Sequence, residues 1–162
     1  MNPLVHPAAP LVRGDAAATV APSSALETDQ HLLEGLAVLR DWGLEPFHQN
    51  VAGRSWGYLA GRDTERHADL EQRAPLLACA RGGWGAARLL EQPMAWSEGW
   101  LLGFSDITAL LWARLAAGYD GNVHGPLLTT LASEPPWSRE RLRRLLFGEP
   151  LPDLNGQAGG GA

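Results

Sequence analysis

One serine stands where a predicted strand meets a predicted helix. Ser105 follows the apolar run WLLGF (residues 100–104) and precedes an apolar, helix-like stretch at residues 106–118. A serine on a sharp strand–turn–helix joint can act as a nucleophile, because the helix N-terminus directs backbone N–H groups at the developing oxyanion. The same position also suits an ordinary helix cap formed by Ser105 or Asp106. Spacing alone slightly favours the cap, since Ile107 stands where the G-x-S-x-G motif has its second glycine.

A glycine-rich segment, ARGGWG at residues 80–85, is the second candidate for chemistry. It follows the predicted buried strand LLACA, so Gly82 and Gly83 would form a turn with free N–H groups. Such a turn can hold a phosphate, a carboxylate or an oxyanion. The segment lacks the Lys-Ser/Thr pair of a P-loop and the G-x-G-x-x-G spacing of a dinucleotide site. A tight strand-to-helix connection remains an equally good interpretation at this point.

A serine nucleophile also needs a base, and histidine is the first candidate. Most histidines of this chain fall in a predicted helix, on an edge strand or in the Pro-rich N-terminal segment, namely His31, His67, His48 and His6. His124, in NVHGP, alone has the sequence context of a site. A loop histidine held by backbone hydrogen bonds is nevertheless the more common situation.

Composition indicates one globular α/β domain. The chain has 162 residues, 45% of them hydrophobic, and a net charge of −5, which argues against broad attraction to nucleic acid. The arginines at 139, 141, 143 and 144 are expected to form a solvated helix face. Cys79 is the single cysteine, which excludes an internal disulfide and a cysteine zinc site. Without a recognisable secretion signal or membrane span, we expect a cytoplasmic protein with no membrane association.

The elements that must position these residues alternate between strand and helix. The predicted strands are residues 16–21, 44–49, 76–80 and 100–104, and the predicted helices are residues 29–42, 63–70 and 106–118. This alternation predicts a mostly parallel sheet flanked by helices. Ligands gather at the carboxyl ends of such strands, where Ser23, Ser24, the glycine turn and Ser105 would all lie.

Several motifs in a fixed order resemble one known family. They are VRGD…VAPSS, GYLAGRDTERHADL, ARGGWGAARLL, GFSDITALL and VHGP, spread over about residues 10–154. Together they resemble the LD-carboxypeptidase family, serine peptidase family S66, which also includes the microcin C self-immunity proteins. An ordered set of motifs is far more specific than any one of them.

The resemblance implies that Ser105 is the nucleophile. The backbone N–H of Asp106, with one from the Gly82–Gly83 turn, would form the oxyanion hole. It also implies a flavodoxin-like N-terminal domain similar to class I glutamine amidotransferases. The family cleaves the amide between an L-centre and a D-residue, usually releasing D-alanine from murein tetrapeptides during cell-wall recycling. It uses neither a metal nor an organic cofactor, and its members are commonly homodimers.

Two departures from the family pattern shape the expectation. The loop EQPMAWSEGW before GFSD is shorter than the family norm. The glutamate and histidine of the triad belong to a C-terminal domain, whereas this chain comprises an N-terminal domain (1–150) and the start of a linker (151–162). His124 matches the HGP element, which is not the catalytic base.

Because the glutamate and histidine of the triad are assigned to the C-terminal domain, we expect negligible activity from this chain alone. The alternatives are a microcin-immunity-like peptidase, half of a split enzyme, or a catalytically dead α/β binding module.

Overall fold

A parallel β-sheet forms the centre of the molecule. The computed structural model describes residues 5–48 and 51–156. Its strands are β1 (Ala16–Val20), β2 (Glu45–Phe47), β3 (Leu76–Cys79), β4 (Trp100–Gly103) and β5 (Asn122–His124). They lie in the order β2-β1-β3-β4-β5, and every neighbouring pair is parallel. The predicted α/β class and the flavodoxin-like strand order are therefore confirmed.

Helices cover both faces of this sheet. They are α1 (Gln30–Asp41), α2 (Asp63–Leu70), α3 (Thr108–Ala116), α4 (Leu128–Leu131) and α5 (Pro136–Leu146), with 3₁₀ turns at Ala87–Glu91 and Ser105–Ile107. One core cluster takes apolar side chains from α1, α4 and α5, and the other takes them from α2 and α3. The sheet is thus the middle of three layers, and the loops at the two ends of the strands are the parts that the helices do not cover.

Continuous apolar runs in the sequence follow from burial on both faces. In β3, Leu76 and Ala78 belong to one core cluster, whereas Leu77 and Cys79 belong to the other. Successive side chains of a strand point to opposite faces, so a strand covered on both sides needs apolar residues throughout. The run LLACA is therefore a buried central strand, as predicted.

Some predicted boundaries differ from the observed ones. The helix predicted to start at residue 106 begins as a 3₁₀ turn at Ser105 and becomes α-helical at Thr108. Helix α1, predicted from residue 29, begins at Gln30, and the side chain of Asp29 makes no capping hydrogen bond. The strand predicted at 44–49 is shorter, and residues 49–50 lie outside the described ranges.

The segment after α5 has no regular structure as far as residue 156, and residues 157–162 lie outside the described part of the chain. Its assignment as a linker stays a prediction. Among the described residues, no helix is long and apolar enough to cross a membrane.

Candidate active site

The loops that follow β1, β3 and β4 meet at the carboxyl edge of the sheet. A Cβ atom built on Gly82 would lie 3.1 Å from the Cβ of Ser105. The backbone N–H of Ser24 donates to the carbonyl of Gly82 over 3.2 Å. Because these three strands are neighbours in the sheet, residues far apart in the sequence come together as predicted.

Ser105 has the backbone conformation of a nucleophile elbow. Its φ is +63°, the only positive φ among the described non-glycine residues. The preceding Phe104 is extended, and a 3₁₀ turn starts directly at Ser105. A non-glycine residue in this region costs about 1–3 kcal/mol and persists only where the surroundings enforce it. The strain leaves the Ser105 side chain exposed at the end of β4.

Gly103 and Ile107 explain how the chain makes this turn without the second glycine of G-x-S-x-G. A Cβ atom on Gly103 would lie 2.8 Å from Cγ2 of Ile107 and 3.1 Å from Cβ of Cys79. Ile107 is fully buried beneath the turn. The first glycine therefore makes room for an isoleucine that packs into the core, and the side chain of Ile107 does not obstruct the serine.

The glycine turn is shaped by its contact with the β1 loop. Gly83 has a φ of +114°, and a Cβ atom there would lie 2.7 Å from the Cβ of Ser24. The hydroxyl oxygen of Ser24 accepts the N–H of Trp84 over 3.1 Å. Only glycine fits this position, and Ser24 fixes the turn from the other side. Gly82 and Gly83 thus form a rigid turn facing Ser105.

The carboxylate of Asp106 joins three loops. It accepts a hydrogen bond from the hydroxyl of Ser23 at 2.5 Å and another from the backbone N–H of Ala86 at 2.9 Å. Neither Ser105 nor Asp106 makes a side-chain cap on the 3₁₀ turn or on α3. The helix-cap interpretation is therefore wrong, because partners from other loops occupy the carboxylate. This arrangement leaves the Asp106 backbone N–H at the start of the turn that carries the serine.

A buried arginine, which the sequence analysis missed, braces the same loops. Arg66 in α2 is fully buried, and its Nη1 donates to the carbonyls of Pro22 (2.7 Å) and Gly85 (2.9 Å). Its Nη2 pairs with Asp63 over 2.7 Å. One guanidinium therefore ties the β1 loop to the end of the glycine turn.

The carboxylate of Asp69, one turn further along α2, holds the end of β1. It accepts the N–H of Ala21 at 2.9 Å and pairs with Arg54 at 2.6 Å. Arg66 and Asp69 are three residues apart and share the buried face of α2 with Leu70. That spacing is the signal available in the sequence, but the many charged residues of the helix are typical of a solvated one.

The described histidines make their contacts with residues other than Ser105. Within residues 5–48 and 51–156, no hydrogen bond joins the Ser105 hydroxyl to an imidazole. His124 is exposed at the end of β5, and its ring packs edge-on against Phe104 with centroids 6.1 Å apart. His6 and His31 contact glutamates, and His67 contacts the carbonyl of Pro93.

Other chemistries find little support at this edge. Burial raises the pKa of the Cys79 thiol well above its usual range, so this cysteine is an inert core residue. Among the described residues, no group of three or more His, Cys, Asp or Glu side chains could hold a metal ion.

An open cleft of about 780 Å³ lies beside the glycine turn. Its lining residues come from the β1 loop, the loop before α2 and the glycine turn, and they are Ser24, Ala25, Leu26, Glu27, Tyr58, Arg81 and Trp84. A volume of this size suits a small ligand or a short peptide.

Comparison with known proteins places this chain in a family. A family model described as the LD-carboxypeptidase N-terminal domain matches residues 17–125. A Synechocystis sp. protein with the name "Putative carboxypeptidase" is 42% identical over 157 residues, covering 92% of this chain and 52% of its own length. A Bacillus subtilis protein with the name "Probable murein peptide carboxypeptidase" is 31% identical over 134 residues, covering 74% of this chain and 40% of its own.

Solved structures show the same fold. The microcin C7 self immunity protein MccF, as an inactive mutant in the apo state, superposes with a TM-score of 0.74 at 24% identity, covering 86% of this chain and 46% of MccF. An MccF-like protein from Bacillus anthracis gives 0.74 at 17% identity with the same coverage. The chain spans about half the length of the curated relatives it matches. Because the family model matches more than half of its residues, the chain belongs to the LD-carboxypeptidase family, peptidase family S66.

Proposed function

We propose that this chain carries the nucleophile and the oxyanion hole of a serine-type LD-carboxypeptidase. The observation that carries the proposal is the strained Ser105, with its φ of +63° and its side chain facing the Gly82 turn. Family membership supports a hydrolase, and the geometry supports the serine as its nucleophile.

In the proposed reaction, Ser105 Oγ attacks the scissile carbonyl and transfers its proton to a base. The oxyanion accepts hydrogen bonds from the backbone N–H of Asp106 and from an N–H of the Gly82–Gly83 turn. The base then protonates the leaving amine, which departs as the terminal amino acid. Water, activated by the same base, hydrolyses the acyl-serine and restores the hydroxyl.

The base and its orienting carboxylate come, in this proposal, from outside the described residues. They would be the histidine and glutamate that the family resemblance assigns to a C-terminal domain, carried on a longer protein or on a separate chain. Loss of a triad base costs about a million-fold in turnover. The chain on its own is therefore expected to release almost no product.

The proposed substrate is a murein tetrapeptide that ends in D-alanine. The B. subtilis relative, named for murein peptide carboxypeptidase activity, supports this class at 31% identity. The MccF structures are less than 25% identical, so their likeness supports the fold rather than a peptidyl-nucleotide substrate. A cytoplasmic homodimer acting in cell-wall recycling completes the proposal, and it rests on the family resemblance.

The test joins this chain to the remaining half of the Synechocystis relative and measures D-alanine release from a murein tetrapeptide. We expect release by the fusion and almost none by the chain alone. Ser105→Ala should abolish release, whereas Ser133→Ala, an exposed serine after α4, should leave it unchanged. A peptidyl-nucleotide analogue tested in parallel separates the two substrate classes.

Two outcomes would contradict parts of the proposal. Release that survives Ser105→Ala, or its absence from a fusion with native circular dichroism, rules out the proposed nucleophile or reaction. Turnover by the chain alone within tenfold of the full-length relative rules out the need for an external base.

A further inference from the structure

We propose that Arg81 binds the terminal carboxylate of the peptide in the cleft beside the glycine turn. This inference rests on the proposed function, because it identifies the group that would make that site a carboxypeptidase. The cleft is the space of about 780 Å³ bordered by Arg81, Tyr58 and Trp84.

The position of Arg81 matches the length of the group to be released. Arg81 directly precedes Gly82, whose built Cβ lies 3.1 Å from the Cβ of Ser105. Consecutive Cα atoms are about 3.8 Å apart, so the carboxylate of a single terminal residue lies about one residue beyond the scissile carbonyl. Arg81 is thus the residue next to the proposed oxyanion-hole turn, and its side chain lines the cleft that a terminal residue would enter.

The guanidinium of Arg81 is oriented by one backbone carbonyl and forms a long ion pair with one exposed carboxylate. Its Nη1 donates to the carbonyl of Ala25 over 2.5 Å, which fixes its direction. Its Nη2 lies 3.8 Å from Glu27, too far for a hydrogen bond, and the Glu27 side chain is 88% exposed. Arginine carries five N–H donors and binds carboxylates through two parallel bonds. The remaining donors are available to a bound carboxylate.

The cleft walls suit a peptide rather than a bare anion. Trp84 is 73% exposed and Tyr58 is 68% exposed, although large aromatic side chains are usually covered. Aromatic side chains that line a concave cleft together with a few polar groups suit ligand binding. Among the described residues, Arg81 is the only cation that lines the cleft, and Glu27 is its only carboxylate. The combination favours a short peptide with a negative end group.

The experiment measures binding in the complete chain carrying Ser105→Ala, so that no turnover occurs. The probes are a tetrapeptide ending in L-Lys-D-Ala with a free carboxylate and the same peptide as its C-terminal amide. Calorimetry and tryptophan fluorescence report the two dissociation constants. We expect the acid to bind at least about tenfold more tightly, since a hydrogen bond to a charged group carries that much affinity. Arg81→Gln should remove the preference, and Arg81→Lys should keep part of it.

The matched control is Arg141→Gln on α5, because Arg141 also donates one Nη1 bond of 2.5 Å to a carbonyl, that of Pro152. It should leave the preference intact. Equal binding of acid and amide, no binding at millimolar peptide, or a preference that survives Arg81→Gln in a folded protein would overturn the inference. An Arg81-dependent preference in a chain whose fusion releases no D-alanine would instead retain the subsite and refute the proposed catalysis.

Discussion

A buried arginine braces the loops at each end of the strands, but only the carboxyl edge of the sheet holds Ser105, the proposed nucleophile. At the carboxyl edge, Arg66 binds the carbonyls of Pro22 and Gly85. At the opposite edge, Arg114 binds the carbonyls of Ser97, Gly99 and Asp120 and the side chain of Asn122, all within 3.0 Å. In both places a buried guanidinium holds loops together by binding their backbone carbonyls.

The polarity of the fold explains the difference. In a parallel sheet with crossover helices, helix N-termini and their free N–H groups collect at the carboxyl edge, where α3 follows Ser105. Helix C-termini collect at the other edge, where Arg114, in the last turn of α3, binds carbonyls of the loops that lead into β4 and β5. Desolvation lowers the pKa of Arg114, which is consistent with a cation placed for structure rather than for solvent. This polarity favours anion binding at the edge that holds Ser105.

Replacing each buried arginine should give the largest effects on stability and should show whether the two arginines differ in their effect on activity. We expect Arg66→Met and Arg114→Met each to lower the free energy of unfolding by about 3–5 kcal/mol, because buried carbonyls lose a charged donor. Urea unfolding of the chain measures both losses. In the fusion, at a temperature where both variants are folded, Arg66→Met should also lower kcat/KM about 100-fold through displacement of the glycine turn. Equal kcat/KM for the two variants would show that the Arg66 brace does not position the site.

A pair of glycines provides a smaller, more local test. Gly83→Ala should cost about 3 kcal/mol, because its φ of +114° is strained for alanine and the new Cβ would collide with Ser24. Gly14, at the opposite edge before β1, has a φ of +90° but nothing within 4 Å of a built Cβ. Gly14→Ala should therefore cost about 1 kcal/mol, the backbone strain alone. Thermal unfolding compares the two, and similar losses would refute the close packing of Ser24 against the turn.

The sequence predicts most of the carboxyl edge because its signals are local. Ser105 follows an apolar strand, Gly82 and Gly83 follow another, and parallel pairing brings the two strand ends together. Local rules failed at Asp106, whose expected cap was displaced by a partner 83 residues away, Ser23. A short-range preference is weak compared with a tertiary hydrogen bond in a partly buried position.

The Arg66 brace was outside the reach of sequence patterns. Its acceptors are the backbone carbonyls of Pro22 and Gly85. Every residue has such a carbonyl, so the residue types at these positions do not indicate the contact. A helix rich in charge is usually solvated, so the buried face of α2 was hidden by its composition. The element after the glycine turn is a short 3₁₀ helix, Ala87–Glu91, in which Leu89 is the only buried residue.

The smallest expected effect concerns an exposed ion-pair cluster that stabilises the opposite edge. Helix α5 docks there through the hydrogen bond from Leu11 N–H to Leu146 O, and Arg143 and Arg144 hold the pKa of Glu140 at about 2. Because this pKa is lowered in the folded state, the stabilisation is present above about pH 4.5 and is lost as the pH falls toward 2. Solvent screens the pair, so the effect should be modest. Urea midpoints measured across that window should fall less steeply for Glu140→Gln than for the parent chain. Parallel curves would show that the cluster contributes nothing, leaving Arg114 and the packing of α5 to stabilise this edge.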